Sequence, residues 1–275
     1  MTRKEFLKFT TLLLSSPLFA SNKTKKKMPA LFISHGSPMN IILDNSYTKK
    51  LKNISKTFEK PKAIIVISAH WYENQTLVSN AEEQETIYDF YNFPDILYDI
   101  VYEPKGNPTL ANSISNKIKA PTVDRGLDHG AWSILRHMYP KADIPTFQIS
   151  INNTLTYKQH FKLGKILSIL RENGVLIIGS GSVTHNLRLT NPNAQEIDTW
   201  ALSFDEYVKD AFNFKKSSKL INIKEHPLFT IAHPYDDHYI PLLYSAACIN
   251  SDDKVEHFHD EIISGNLTMR CIKIG

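Results

Sequence analysis

Cysteine is almost missing from this chain: Cys248 and Cys271 are the only two in 275 residues. Two thiols set no disulfide framework. Neither stands in a C-x-x-C pair, which excludes a zinc ribbon or a thioredoxin-type redox site. Both are expected as free, buried side chains. Several catalytic signatures are absent too. There is no G-x-S-x-G elbow of a serine hydrolase, and no H-E-x-x-H helix of a metalloprotease. The small-residue run Gly179-Ser180-Gly181-Ser182 lacks the Gly-Lys-Ser/Thr ending of a phosphate loop and does not fit G-x-G-x-x-G, so nucleotide binding is set aside. No internal repeat and no long low-complexity linker interrupts the chain.

A one-signed charge excess is also lacking. The formal charge is +4, but residues 1–27 hold seven lysines and arginines against one glutamate, which leaves the remainder near −2. The basic character sits in a tail and does not argue for nucleic acid. That tail has a charged start at Arg3-Lys4, an apolar stretch from Phe6 to Ala20 interrupted by Lys8, and lysines from Lys23 to Lys27. The layout is that of an export signal, too short to span a membrane. Thr2 to Lys8 resembles a twin-arginine signal with lysine in the second arginine place. Export to the periplasm is one expectation; a retained basic leader on a cytoplasmic protein is the other.

The folded domain is expected over 28–275. Ala30 to Ser34, Ala63 to Ser68, Thr146 to Ile151 and Val175 to Gly179 are continuous apolar runs, as suits strands buried on both faces. Helical patterns alternate with them: Ser46 to Lys56, Thr109 to Ile118, Trp132 to Met138, Tyr157 to Asn173 and Glu196 to Phe212. This order predicts a single α/β domain around a largely parallel sheet.

Histidines mark the ends of these strands. His35 follows the first, His70 the second, and His185 comes a few residues after the fourth. In open α/β sheets, ligands bind at the carboxyl ends of the strands. His238 follows Asp236-Asp237 at the start of a last helix, where the two acids are expected to cap it. His129 follows Asp128 at the head of the Trp132 helix, where the dipole disfavours the charged ring and suits proton transfer near neutrality. By contrast, His137 and His160 fall inside helices. Each of these segments alone also fits a turn or capping histidine bonded to backbone. Together they point to a metal site, because neutral imidazole is the commonest protein ligand and suits zinc and iron.

Six ordered segments sharpen this reading: HGSPM at 35–39, SAHW at 68–71, LDHGAW at 127–132, ADIPTFQISI at 142–151, GSGSVTHNLR at 179–188 and DDHYIPLLY at 236–244. The chain resembles the 4,5-DOPA dioxygenase extradiol family, within the class III (protocatechuate 4,5-dioxygenase-like) extradiol ring-cleaving enzymes. The resemblance spans 28–275. It implies an α/β fold with one divalent metal ion, Zn(II) or Fe(II), and insertion of both atoms of O2 into a catechol to give a semialdehyde acid. It also implies that His35, His70, His185 and His238 stand at the family's metal positions and His129 near the substrate. Class III enzymes generally use two histidines and a glutamate, and here His238 fills the glutamate place. His185 is then either a fourth ligand or the catalytic base. The aromatic segment Thr86 to Pro94 is expected to wall the pocket of a small aromatic diol. Two other readings stay open: a zinc-bound protein without turnover, and a zinc hydrolase.

Overall fold

The computed structural model describes residues 27–275; the expected leader lies outside the described residues except for Lys27. Six strands form the central sheet: β1 (Ala30–Ser34), β2 (Ala63–Ser68), β3 (Thr146–Gln148), β4 (Val175–Gly181), β5 (Val255–His259) and β6 (Cys271–Ile274). Their spatial order is β3-β2-β4-β1-β6-β5. The first four are mutually parallel, and β6 alone runs against its neighbours. The α/β class with a mostly parallel sheet is therefore as the sequence predicts.

Helices cover both faces, because every residue of β1, β2 and β4 is buried. Alternate side chains feed two separate cores, as the pleat requires. Leu31, Ile33, Ile64, Val66, Leu176 and Ile178 face α1 (Ser46–Ile54) and α3 (His129–Met138). Phe32, Ile65, Ile67 and Ile177 face α4 (Tyr157–Ser168) and α6 (Ile240–Ala247). The remaining long helices are α2 (Pro108–Ile118) and α5 (Thr199–Asn213). Full burial of each such aliphatic side chain stabilises the fold by roughly 1.5–3 kcal/mol. Helix starts are chemically marked: Asn45 and Thr156 form capping boxes, and Asp128 caps α3 through the Ala131 amide. Cys248 and Cys271 are free and buried.

Three predicted elements differ. The 146–151 run is not one strand: β3 stops at Gln148, and Ile151–Asn152 pairs with Tyr72–Glu73 in a separate ribbon. The helix starting at Tyr157 tightens into a 3-10 turn over Ile169–Asn173 before Gly174 ends it with φ +85°. The fourth strand runs on to Gly181 instead of turning at Gly179. Gly179 and Gly181 leave no room for a side chain. A methyl group on either would lie 2.2 Å from the carbonyl of Pro241 or His238. These glycines let the chain carrying His238 close directly onto β4.

Candidate metal centre

The ends of the parallel strands are level. Ser34 pairs with Gly181 and Ser68 with Ser180. The residues that follow these ends must therefore emerge on one edge of the sheet, and the histidines do. Ring centroids of His35 and His70 lie 4.9 Å apart, those of His35 and His238 5.2 Å, and those of His70 and His238 5.1 Å. His129, at the first turn of α3, is 3.9 Å from His70. His185 stacks on His238 at 3.5 Å with an interplanar angle of 9°. All five sequence-selected histidines thus meet in one cluster, whereas His137 and His160 do lie in α3 and α4. Two neighbouring donor groups result: His35 with His70 and His129, and His185 with Asp237 and His238, each with its ligand atoms within 4.8 Å of one another.

Hydrogen bonds around the rings decide which nitrogens are free. The Ser180 hydroxyl donates its single proton to the Gly130 carbonyl. It can only accept from His35 Nδ1, 2.9 Å away. His35 therefore carries its proton on Nδ1 and leaves Nε2 bare. His238 Nδ1 meets the Asp237 carboxylate at 3.0 Å, which frees its Nε2 in the same way. His70 Nδ1 lies 3.3 Å from Asp89 Oδ2. Across this arrangement the Nε2 atoms of His35 and His70 face each other at 3.0 Å. With His70 also protonated on Nδ1, two lone pairs meet at that separation and repel unless a cation lies between them. Ligands at about 2.0–2.1 Å from one ion stand about 2.8–3.4 Å apart along a coordination edge, from octahedral to tetrahedral angles. The residues fit a divalent metal.

Electrostatics favour neutral rings. Burial lowers His35 well below the usual histidine range, and the neighbouring His70 and His238 charges add to it. Burial likewise brings His70 to about 3, with Asp89 and Asp237 opposing. It also lowers His238 well below the usual range, reinforced by His185, and it lowers His185 against Asp237. Neutral imidazole is the form that ligates metal.

The flanking residues are held as firmly. Asp128 is buried and accepts from Ser68 Oγ at 2.7 Å and Gln148 Nε2 at 2.8 Å, which ties the head of α3 to β2 and β3. Phe90 stands edge-on to His129 at 5.5 Å, backed by Tyr98 and Trp132. The expected aromatic wall is thus beside the cluster. An open cleft of about 660 Å³ is lined by Tyr72, Lys224, His233, Asp236 and Asp237 among others. The two acids do not cap α6, whose first turn has no side-chain cap. Asp236 instead accepts from Tyr72 and Tyr157, each at 3.0 Å, and pairs with Lys224. Sequence reasoning missed Asp89 and Ser180. Neither follows a strand as a candidate ligand does, and only the neighbouring aromatic run drew notice to Asp89.

The profile of the catalytic LigB subunit of aromatic ring-opening dioxygenase matches residues 29–270. The chain belongs to the LigB family. Family members are metal-dependent dioxygenases, in keeping with the histidine cluster. Among curated relatives, the 4,5-DOPA dioxygenase extradiol of Escherichia coli K12 is 39% identical over 259 residues, covering 90% of this chain and 95% of that protein. The Beta vulgaris protein of the same name is 42% identical over 254 residues, covering 88% and 94%. The crystal structure of an uncharacterized Escherichia coli K12 protein superposes with a TM-score of 0.80 at 35% identity, covering 90% of this chain and all of that one. This LigB-family chain is thus an extradiol dioxygenase by family, and its cluster sits where the strand ends of the fold converge.

Proposed function

We propose that the protein cleaves the ring of a catechol, DOPA or a close analogue, beside its two hydroxyls, placing both atoms of O2 in a semialdehyde acid. The single observation that carries this is the approach of the His35 and His70 Nε2 atoms to 3.0 Å, beside the aromatic ring of Phe90 on His129. His35, His70 and His238 hold one divalent ion. Such an ion would supply Lewis-acid chemistry and, as iron, redox chemistry beside the substrate hydroxyls.

His185 acts as the base. Imidazole coordinates in its own plane. Two rings stacked face to face at 3.5 Å, as His185 and His238 are, do not aim their in-plane lone pairs at one point. That favours three ligands and a free fourth histidine able to accept a catechol proton. Its lowered pKa leaves it unprotonated, and so available as an acceptor, near neutrality. His129 faces the same space from α3 and offers a second hydrogen bond to the substrate. Phe90 and its neighbours present flat apolar surface to the ring and keep water from it.

The test is oxygen uptake by Fe(II)-loaded protein over a panel of catechols that includes DOPA, with the appearance of a yellow product. Uptake with at least one catechol is expected; none across the panel refutes ring cleavage. Metal content of His185→Ala separates the roles. A base variant keeps its metal and loses turnover, whereas loss of the metal returns His185 to the ligands, as a four-histidine zinc protein without catalysis requires.

A further inference from the structure

The long excursion between β2 and α2 returns to the cluster at a single side chain. Asp89 Oδ1 accepts from the backbone amide of His129 at 2.8 Å and lies 3.0 Å from His129 Nδ1. Its other oxygen, Oδ2, lies 3.3 Å from His70 Nδ1. That oxygen and His129 Nδ1 are buried atoms that make no hydrogen bond, so each ring meets the carboxylate through close charge contact alone. The other acids near the cluster are committed elsewhere. Asp128 is taken up by Ser68, Gln148 and the Ala131 amide, and Asp237 serves His238. Among the described residues, Asp89 is the carboxylate that lies within 3.3 Å of two rings of the cluster.

We infer that Asp89 is a positioning residue that sets the tautomer of His70 and His129 together, so that one carboxylate serves both metal capture and the substrate-side histidine. A neutral imidazole has one N–H, and a carboxylate beside Nδ1 holds it there. On His70 this bares Nε2, the atom facing His35. On His129 it turns a bare Nε2 away from Asp89 towards the space enclosed by the rings. The carboxylate has one oxygen for each ring, so the two tautomers are fixed by a single group. The role of His129 rests on the ring-cleavage reading above; the role of His70 needs only that the cluster binds metal.

The experiment uses zinc alone as its probe. Asp89→Asn keeps the size of the side chain and one acceptor oxygen, but presents an amide N–H2 to the other ring. The zinc dissociation constant, measured calorimetrically on metal-free protein, is expected to rise 10- to 100-fold, as for lost outer carboxylates at other metal sites. Asp89→Ala is expected to match it. A space-filling role predicts instead that Asn restores wild-type affinity, and that result overturns the inference. A second readout needs no variant. Nitrogen-15 spectra of zinc-loaded wild-type protein are expected to show His70 and His129 both protonated on Nδ1. A proton on Nε2 of either ring overturns the inference even if the variants fail to fold. Neither readout depends on oxygen uptake, so failure of the ring-cleavage reading is seen separately.

Discussion

Replacing Ser180 by alanine isolates the tautomer lock on His35. Ser180 is fully buried and His35 is 4% exposed, so water has no access to replace the hydroxyl. Ser180→Ala removes two hydrogen bonds at once. The Gly130 carbonyl loses its side-chain donor and keeps only its helical one, and His35 Nδ1 loses its acceptor. A buried polar group left without a partner costs about 1–3 kcal/mol, and the folded state is expected to lose about that much or somewhat more. Metal binding suffers by a separate route. With Nδ1 no longer engaged, His35 is free to carry its proton on Nε2, where a ligand must be bare. The preference worth one hydrogen bond then has to be met by the metal, and roughly 1.4 kcal/mol corresponds to a tenfold weaker site. Zinc affinity is therefore expected to fall about 10-fold, within the 10- to 100-fold span of outer-shell substitutions. Ser182→Ala is the control. Ser182 is similarly buried and donates to the carbonyls of Thr184 and Thr268, with no ring contact. It should cost stability in urea denaturation while leaving zinc affinity unchanged. Equal effects of the two substitutions on zinc, or none for Ser180→Ala, would show that the lock does not act.

Gly130→Ala should damage the site sterically, because a methyl group there lies 2.5 Å from Ser68 Oγ and 3.0 Å from Cδ2 of His70. Overpacking of this kind typically costs about 1–3 kcal/mol, and both urea stability and zinc affinity are expected to drop; retention of both would refute the close packing of α3 on His70. The metal-free protein should also weaken in acid. Burial holds His160 and His233 to about 4, against about 6.5 in an unfolded chain. Between these values the unfolded state binds the extra protons, so this stability is complete above pH 6.5 and is lost as pH falls towards 4. Two rings set an upper slope of about 3 kcal/mol per pH unit. Urea denaturation at pH 7.5, 5.5 and 4.5 reads this directly, and a flat profile would contradict it.

Much of the architecture was legible because it rests on local pattern. Ala30–Ser34 and Ala63–Ser68 read as buried strands from their apolar runs, and the structure has strands with those bounds. The histidines were legible because strand ends in a parallel sheet converge. The strands β5 and β6 were not, for a physical reason. The segment Val255–His259 is only partly buried and carries Glu256 and two histidines, and Cys271–Ile274 is four residues with a lysine inside. An edge pair of this kind has no continuous apolar run to betray it. The 146–151 run misled in the opposite sense. Its Gln148 side chain donates to Asp128 and accepts from the Asp128 amide, and the chain then leaves the sheet. Asp89, Ser180 and Asp237 were illegible as partners of rings because their meaning is a distance across the fold. Asp237 in particular looked like a helix cap, as any acid before a helix does.

The level ends of β1, β2 and β4 place the rings of His35, His70 and His238 together only after distant stretches of the chain have docked. A cation held there binds the native chain and not its unfolded ensemble. Its affinity then adds to global stability by mass action, about 4 kcal/mol at a thousandfold excess over the dissociation constant. In thermodynamic terms such an ion is a reversible cross-link between the first and last thirds of the polypeptide. The shift of a melting curve with added zinc would gauge how completely those thirds have assembled, and a chain cut anywhere between them should lose metal and fold in one transition.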